Sequence, residues 1–161
     1  MTTKISERLD LTKLSSAAYT TMGRLYATAD KAAEEAGLES TLRYLVQIRA
    51  SQINGCAFCI DMHTIDARNA GETEQRIYAL NAWRETPFFS ERERAALELT
   101  EAVTLVHDGQ VPDEVYERSL KVFGEEQLAQ LIWVIVTINS YNRLAIAQRL
   151  VPGNHAPASS S

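Results

Sequence analysis

No stretch of this chain reaches the roughly 18 apolar residues of a membrane span, and Met1 to Arg8 holds no apolar run that would serve as a signal peptide. These absences predict a cytoplasmic protein with no membrane partner. Basic clusters are also missing: 16 Lys and Arg are scattered among 21 Asp and Glu, for a net charge of -5. A nucleic-acid surface needs concentrated positive charge, so the expected partners are small molecules or proteins. Strand alternation bounded by turns is absent throughout. Its nearest approach, Leu131-Ile132-Trp133-Val134-Ile135-Val136, has flanks that continue a helical pattern. Cysteine is down to two residues, Cys56 and Cys59. Cytoplasmic thiols are kept reduced, so a close pair there points to catalysis or metal binding rather than to a structural staple.

What is present is enough for one domain with a real core, since 45% of the residues are hydrophobic. The periodicity predicts an all-α fold, a compact bundle of about seven helices joined by short loops. Leu14, Ala18, Met22, Leu25, Ala29 and Ala33 form the stripe of a long first helix that stops at Gly37. A second helix buries Leu42, Leu45, Val46 and Ile53 and breaks at Asn54-Gly55, and the cysteine helix follows to Gly71. A short helix runs from Glu74 to about Trp83, before Pro87. Ser90 and Glu93 fit a reciprocal capping box, ahead of a stripe from Ala95 to Val106. Val111-Pro112-Asp113 restarts the chain, a short helix stops at Gly124, and the last helix spans about Glu125 to Leu150. That helix is apolar nearly all round, which predicts burial on more than one side, in the core or against another subunit. The domain is expected over 1-151. Residues 152-161 lack periodicity and apolar content and read as a disordered tail.

The chemistry concentrates in Ile53-Asn54-Gly55-Cys56-Ala57-Phe58-Cys59-Ile60-Asp61-Met62-His63. Asn54-Gly55 is a turn dipeptide, and Cys56, Cys59, Ile60, His63, Ala67 and Ala70 then share one helix face. Residues four apart on a helix have Cβ atoms about 5–6 Å apart, so Cys59 and His63 can meet directly or through one water. Cys56, at the helix start, feels a partial positive charge that favours thiolate. A thiolate attacks a peroxide oxygen or a disulfide sulfur, and a second thiol one turn away condenses with the sulfenic acid to a disulfide. Histidine serves by taking the thiol proton or protonating the leaving alkoxide. This cycle needs no cofactor. A structural zinc site would want four ligands, and only Cys56, Cys59 and His63 are local, with His107 the one other candidate; an inert buried pair is the remaining alternative.

The segment Leu45 to His63 resembles the core signature of the AhpD-like alkylhydroperoxidase family, within the carboxymuconolactone decarboxylase superfamily. The resemblance is strongest from about Leu42 to Pro87, and Ile138-Asn139-Ser140-Tyr141-Asn142-Arg143-Leu144 is similar to the family's later Asn-Arg segment. It implies an all-helical subunit assembling as a homo-oligomer, a trimer or hexamer. It implies thiol-dependent reduction of a hydroperoxide substrate, with Cys59 attacking, Cys56 resolving and His63 in the proton relay. The dithiol reductant it implies is a lipoyl-bearing protein, with thioredoxin the other candidate.

Two positions depart from the family pattern. Where the name-giving peroxidase has a relay glutamate, twelve residues before the first cysteine, this chain has Tyr44; where it has a histidine before the second cysteine, this chain has Phe58. Tyr44 is expected among the catalytic residues, as a phenol surviving in the relay, with a phenol closing the edge of the core as the alternative. Two other functions stay open: a lactone decarboxylase, which needs only histidine and a carboxylate, and a redox-sensing or structural ring protein without turnover.

Overall fold

The computed structural model describes residues 8–157, so the first seven positions and the last four, including part of the expected tail, lie outside the described residues. Seven α-helices account for most of the chain, and no strand occurs among the described residues. They are α1 (Leu11–Leu14), α2 (Ser16–Glu35), α3 (Ser40–Asn54), α4 (Ala57–Asn69), α5 (Glu74–Ala79), α6 (Glu91–Thr104) and α7 (Asp113–Gln148). A 3-10 helix, Leu80–Glu85, extends α5 through a non-helical Ala82. The capping box holds: Ser90 Oγ accepts from the Glu93 amide at 3.2 Å, and the Glu93 carboxylate accepts from the Ser90 amide at 2.7 Å. Gly124 interrupts α7 with φ +70 and ψ 175, a conformation essentially restricted to glycine, so the expected stop occurs there and the two segments are bent against each other.

Helix α3 is the most enclosed element, and α7 packs on α2, α3, α4 and α6. Leu42, Val46, Ala96, Leu99, Leu131 and Ile135 form one core between α3, α6 and α7. Leu45, Ile48, Ala67, Leu80, Trp83 and Leu97 form a second on another face of α3. Ala50, Cys56, Cys59, Ile138 and Ala145 make a third, under the start of α4. Burying the polar residues Arg43, Gln47 and Ser51 of α3 requires partners, and each finds some: Arg43 donates to the Leu38 carbonyl, Gln47 to Tyr26, Ser51 to the Gln47 carbonyl. On α7, Leu131, Val134 and Ile135 point inward while Trp133, 48% exposed, and Val136 face outward.

Three stripes run differently from expectation. Along the first helices only Ala29 and Ala33 are buried, and Leu14 is 70% exposed. The N-terminal half of α2 packs on α7 through aromatic edges instead, with Tyr19 and Tyr26 at 6.4 and 5.5 Å from the Tyr141 ring. Rings reach further across a helix pair than alanines do, so they set the rotation of α2. Ile53 is half-buried, because α3 ends beside it, and Val106 is exposed beyond the end of α6 at Thr104.

Candidate active site

The turn before the cysteines is fixed from both ends. Gly55 takes the left-handed conformation, φ +70, and the Cys56 amide reaches back to the Ser51 carbonyl at 3.0 Å. Asn54 Nδ2 donates to the side-chain oxygens of Asn139 and Asn142, each at 2.9 Å, and Asn142 in turn donates to Ser51 Oγ at 3.0 Å. The Asn-Arg segment of α7 thus locks the α3–α4 corner, and with it the first thiol.

Cys56 is extended and caps α4, its Sγ accepting from the Cys59 amide at 3.3 Å. Cys56 and Cys59 are joined as a disulfide, with Cα atoms 5.4 Å apart. Both are buried, as are His63 and Ala67 one and two turns on, whereas Ala70 lies exposed at the helix end. The two sulfurs differ in outlook: Cys59 lines a cavity of about 400 Å³, and Cys56 stands behind it. Helix α4 supplies Phe58, Cys59, Met62, His63 and Asp66 to the cavity. Helix α2 adds Tyr19 and Tyr26, and the opposite wall is Tyr141, Ala145 and Leu150.

His63 is 2% exposed, and its Nδ1 has no hydrogen-bond partner. Burial pushes its pKa down to about 4, against an opposing pull from the Asp66 carboxylate and a smaller push from His155 in the same direction as burial. The imidazole is therefore neutral at physiological pH. Burial, followed by the Asp30 charge, drives the Tyr26 phenol up to about 12, so its hydroxyl stays protonated while it accepts from Gln47 Nε2 at 3.1 Å.

Tyr44 comes beside His63, ring centroids 6.5 Å apart, but is not among the cavity's walls and packs against the second core. Burial first, then the charges of Asp66 and Asp30, raises its phenol further from the range of a base. His107 is exposed on the loop after α6. No group of three His, Cys, Asp or Glu side chains able to hold a metal occurs among the described residues.

Sequence reasoning passed over Asp66 and the three cavity tyrosines. Asp66 was legible, since three and seven residues after His63 and Cys59 is same-face spacing. The tyrosines carried no such mark, because their convergence depends on how α2 crosses α7.

A family model described as the carboxymuconolactone decarboxylase family matches residues 20–102. The uncharacterized protein YdfG of Bacillus subtilis (strain 168) is 52% identical over 127 residues, covering 79% of this chain and 84% of that protein. The uncharacterized protein YnjA of Escherichia coli (strain K12) is 32% identical over 98 residues, 61% of this chain and 53% of its own length. Among solved structures, ATU0492 of Agrobacterium tumefaciens superimposes with a TM-score of 0.84 at 34% identity, covering 93% of this chain and all of that one. It is described as a protein of unknown function and a candidate AhpD antioxidant defence protein.

Proposed function

Since this chain belongs to the carboxymuconolactone decarboxylase family and is AhpD-like in fold, we propose that it is a thiol-dependent peroxidase reducing hydrogen peroxide or organic hydroperoxides through Cys56 and Cys59. The observation that carries this reading is the placement of Cys59 and His63, one turn apart on α4, as walls of the same cavity, with Cys56 within bonding reach behind.

His63, held neutral by burial, takes the Cys59 proton. The Cys59 thiolate attacks the distal peroxide oxygen, the O–O bond breaks, and an alcohol or water leaves behind Cys59 sulfenic acid. Cys56 then attacks the Cys59 sulfur, expelling water and closing the disulfide. A dithiol from outside, a lipoyl-bearing protein or thioredoxin, returns both thiols by exchange. That exchange favours attack on Cys59 from the cavity, because the departing Cys56 thiolate is stabilised where its sulfur accepts the Cys59 amide at the start of α4. The same reading takes the subunit as part of a cytoplasmic trimer or hexamer, with the outward Trp133 and Val136 as surface to be covered.

One observation favours lactone decarboxylation as a second reading: the cavity offers an imidazole and a carboxylate, His63 and Asp66. Thiol titration before and after one equivalent of hydroperoxide separates the two. A dithiol peroxidase loses two thiols per chain and then turns over with dihydrolipoamide, dithiothreitol or thioredoxin; unchanged thiols would leave the decarboxylase.

A further inference from the structure

Near its C-terminal end the chain returns to the helix that carries the thiols. The Gly153 amide donates to Asp61 Oδ2 at 2.8 Å, and His155 Nε2 lies 2.7 Å from Asp66 Oδ1. Both carboxylates stand on α4, and Asp66 is itself a wall of the Cys59 cavity. The paired side chains of His155 and Asp66 are 24% and 19% exposed, so the pair reaches both the cavity and water, whereas His63 is closed in.

Reduction of a hydroperoxide by a thiol needs two proton movements. The thiol gives one up, and the alkoxide, a strongly basic leaving group, must receive one. His63 is placed for the first movement, and among the described residues no other imidazole lines the cavity to serve the second. Resting on the peroxidase reading, we propose that the Asp66–His155 pair supplies the second proton, from the carboxylate wall of the cavity, as the O–O bond breaks.

The atoms balance. The Cys59 thiolate bonds to the distal oxygen, which keeps its own hydrogen and becomes the sulfenic acid. The O–O electron pair leaves on the alkoxide, which takes the proton shared by His155 and Asp66 and departs as the alcohol. Water reprotonates the pair through its exposed side, and His63 releases the thiol proton to water.

The test exploits leaving-group chemistry. An alkoxide from tert-butyl hydroperoxide needs a proton to depart; the acetate from peracetic acid does not, and alkylation by iodoacetamide involves no departing oxygen. Stopped-flow oxidation of the reduced full chain is compared for the parent, His155→Gln, which keeps a hydrogen bond to Asp66, and Asp66→Asn. We expect both variants to slow reaction with tert-butyl hydroperoxide by roughly ten- to a hundredfold. With peracetic acid and iodoacetamide they should stay within about twofold of the parent, since no proton is asked for. Equal slowing with all three reagents would make the pair a structural clamp, and parental rates throughout would also overturn the proposal. A parent that alkylates at Cys59 but is inert to both peroxides sinks the peroxidase reading and this role with it; an active parent with unaffected variants sinks only this role.

Discussion

Two polar regions lie on opposite sides of α3 and are treated in opposite ways. On the α5–α6 side, Glu101 accepts from Arg49 Nε at 2.9 Å, Trp83 Nε1 at 2.8 Å and Arg84 Nη1 at 2.5 Å. Arg76 pairs with both Glu72 and Glu93 close by. Burial pushes the Glu101 carboxyl up, but the bonds from Trp83, Arg84 and Arg49 outweigh it and hold it below its usual range. On the α4 side, the His63 Nδ1 in the cavity wall and the Oε1 of Gln47, whose amide donates to the cavity's Tyr26, are buried without protein partners. The cavity leaves room there for a water or a ligand to pair with the imidazole. The contrast separates what the fold requires from what a ligand would use.

The largest break in the comparison is at the thiols. Cys59→Ser is expected to abolish hydroperoxide consumption while the Glu101 cluster stays intact and the chain remains folded. Cys56→Ser should still undergo the first oxidation and strand Cys59 as sulfenic acid, seen as a dimedone adduct on Cys59. An adduct on Cys56 in Cys59→Ser, with none on Cys59 in Cys56→Ser, would reverse the assignment.

Glu101→Ala tests the other side. Removing Glu101 from this half-buried cluster deprives Trp83 Nε1 of its acceptor and leaves Arg49 with only Gln52 and Asn81, and a loss of about 2 kcal/mol in unfolding free energy is expected. Denaturant melts measure it, and the rate of Cys59 oxidation per folded molecule should be unchanged. A loss below about 1 kcal/mol would place the cluster with ordinary surface pairs.

The pH dependence of stability distinguishes the regions next. His63 titrates near 4 in the folded chain and near 6.5 when unfolded, so between these values the unfolded state binds more protons. Stability is therefore fully present above about pH 6.5 and falls as pH drops toward 4, by about 3 kcal/mol at most. His63→Phe should flatten that part of the profile relative to the parent. An identical slope in both proteins would mean that His63 is not held neutral by burial.

The smallest effect expected is at Tyr44. Its ring lies beside His63, and its hydroxyl is absent from the cavity wall, so Tyr44→Phe should change the rate of Cys59 oxidation by less than about twofold. A tenfold slowing in stopped-flow oxidation would return the phenol to the relay.

Much of this was readable beforehand because it is local. The αL position at Gly55, the Ser90–Glu93 box and the break at Gly124 each follow from a few adjacent residues. The adjacency of Cys59 and His63 follows from helix geometry alone, while Cys56 sits just before the helix as its cap. Helix faces were less legible where aromatic side chains compete with aliphatic ones. The stripe through Leu14 and Leu25 has as good a period as the Tyr19–Tyr26 edge, and periodicity does not say which of two faces a neighbouring helix will cover.

By itself, then, the amino-acid sequence determined the all-helical class, the breaks between helices and the single-turn spacing that sets Cys59 and His63 on one face of α4 with Cys56 at its start, all consequences of interactions within a few residues. Only the tertiary structure decided that Cys59 rather than Cys56 looks into a cavity, that three tyrosines wall it, that Tyr44 stands outside it, and that His155 returns across 89 positions to Asp66. Those outcomes depend on the crossing of α2 over α7 and on where Gly153 and His155 come to rest on α4, which side-chain packing over long separations settles and no local pattern encodes.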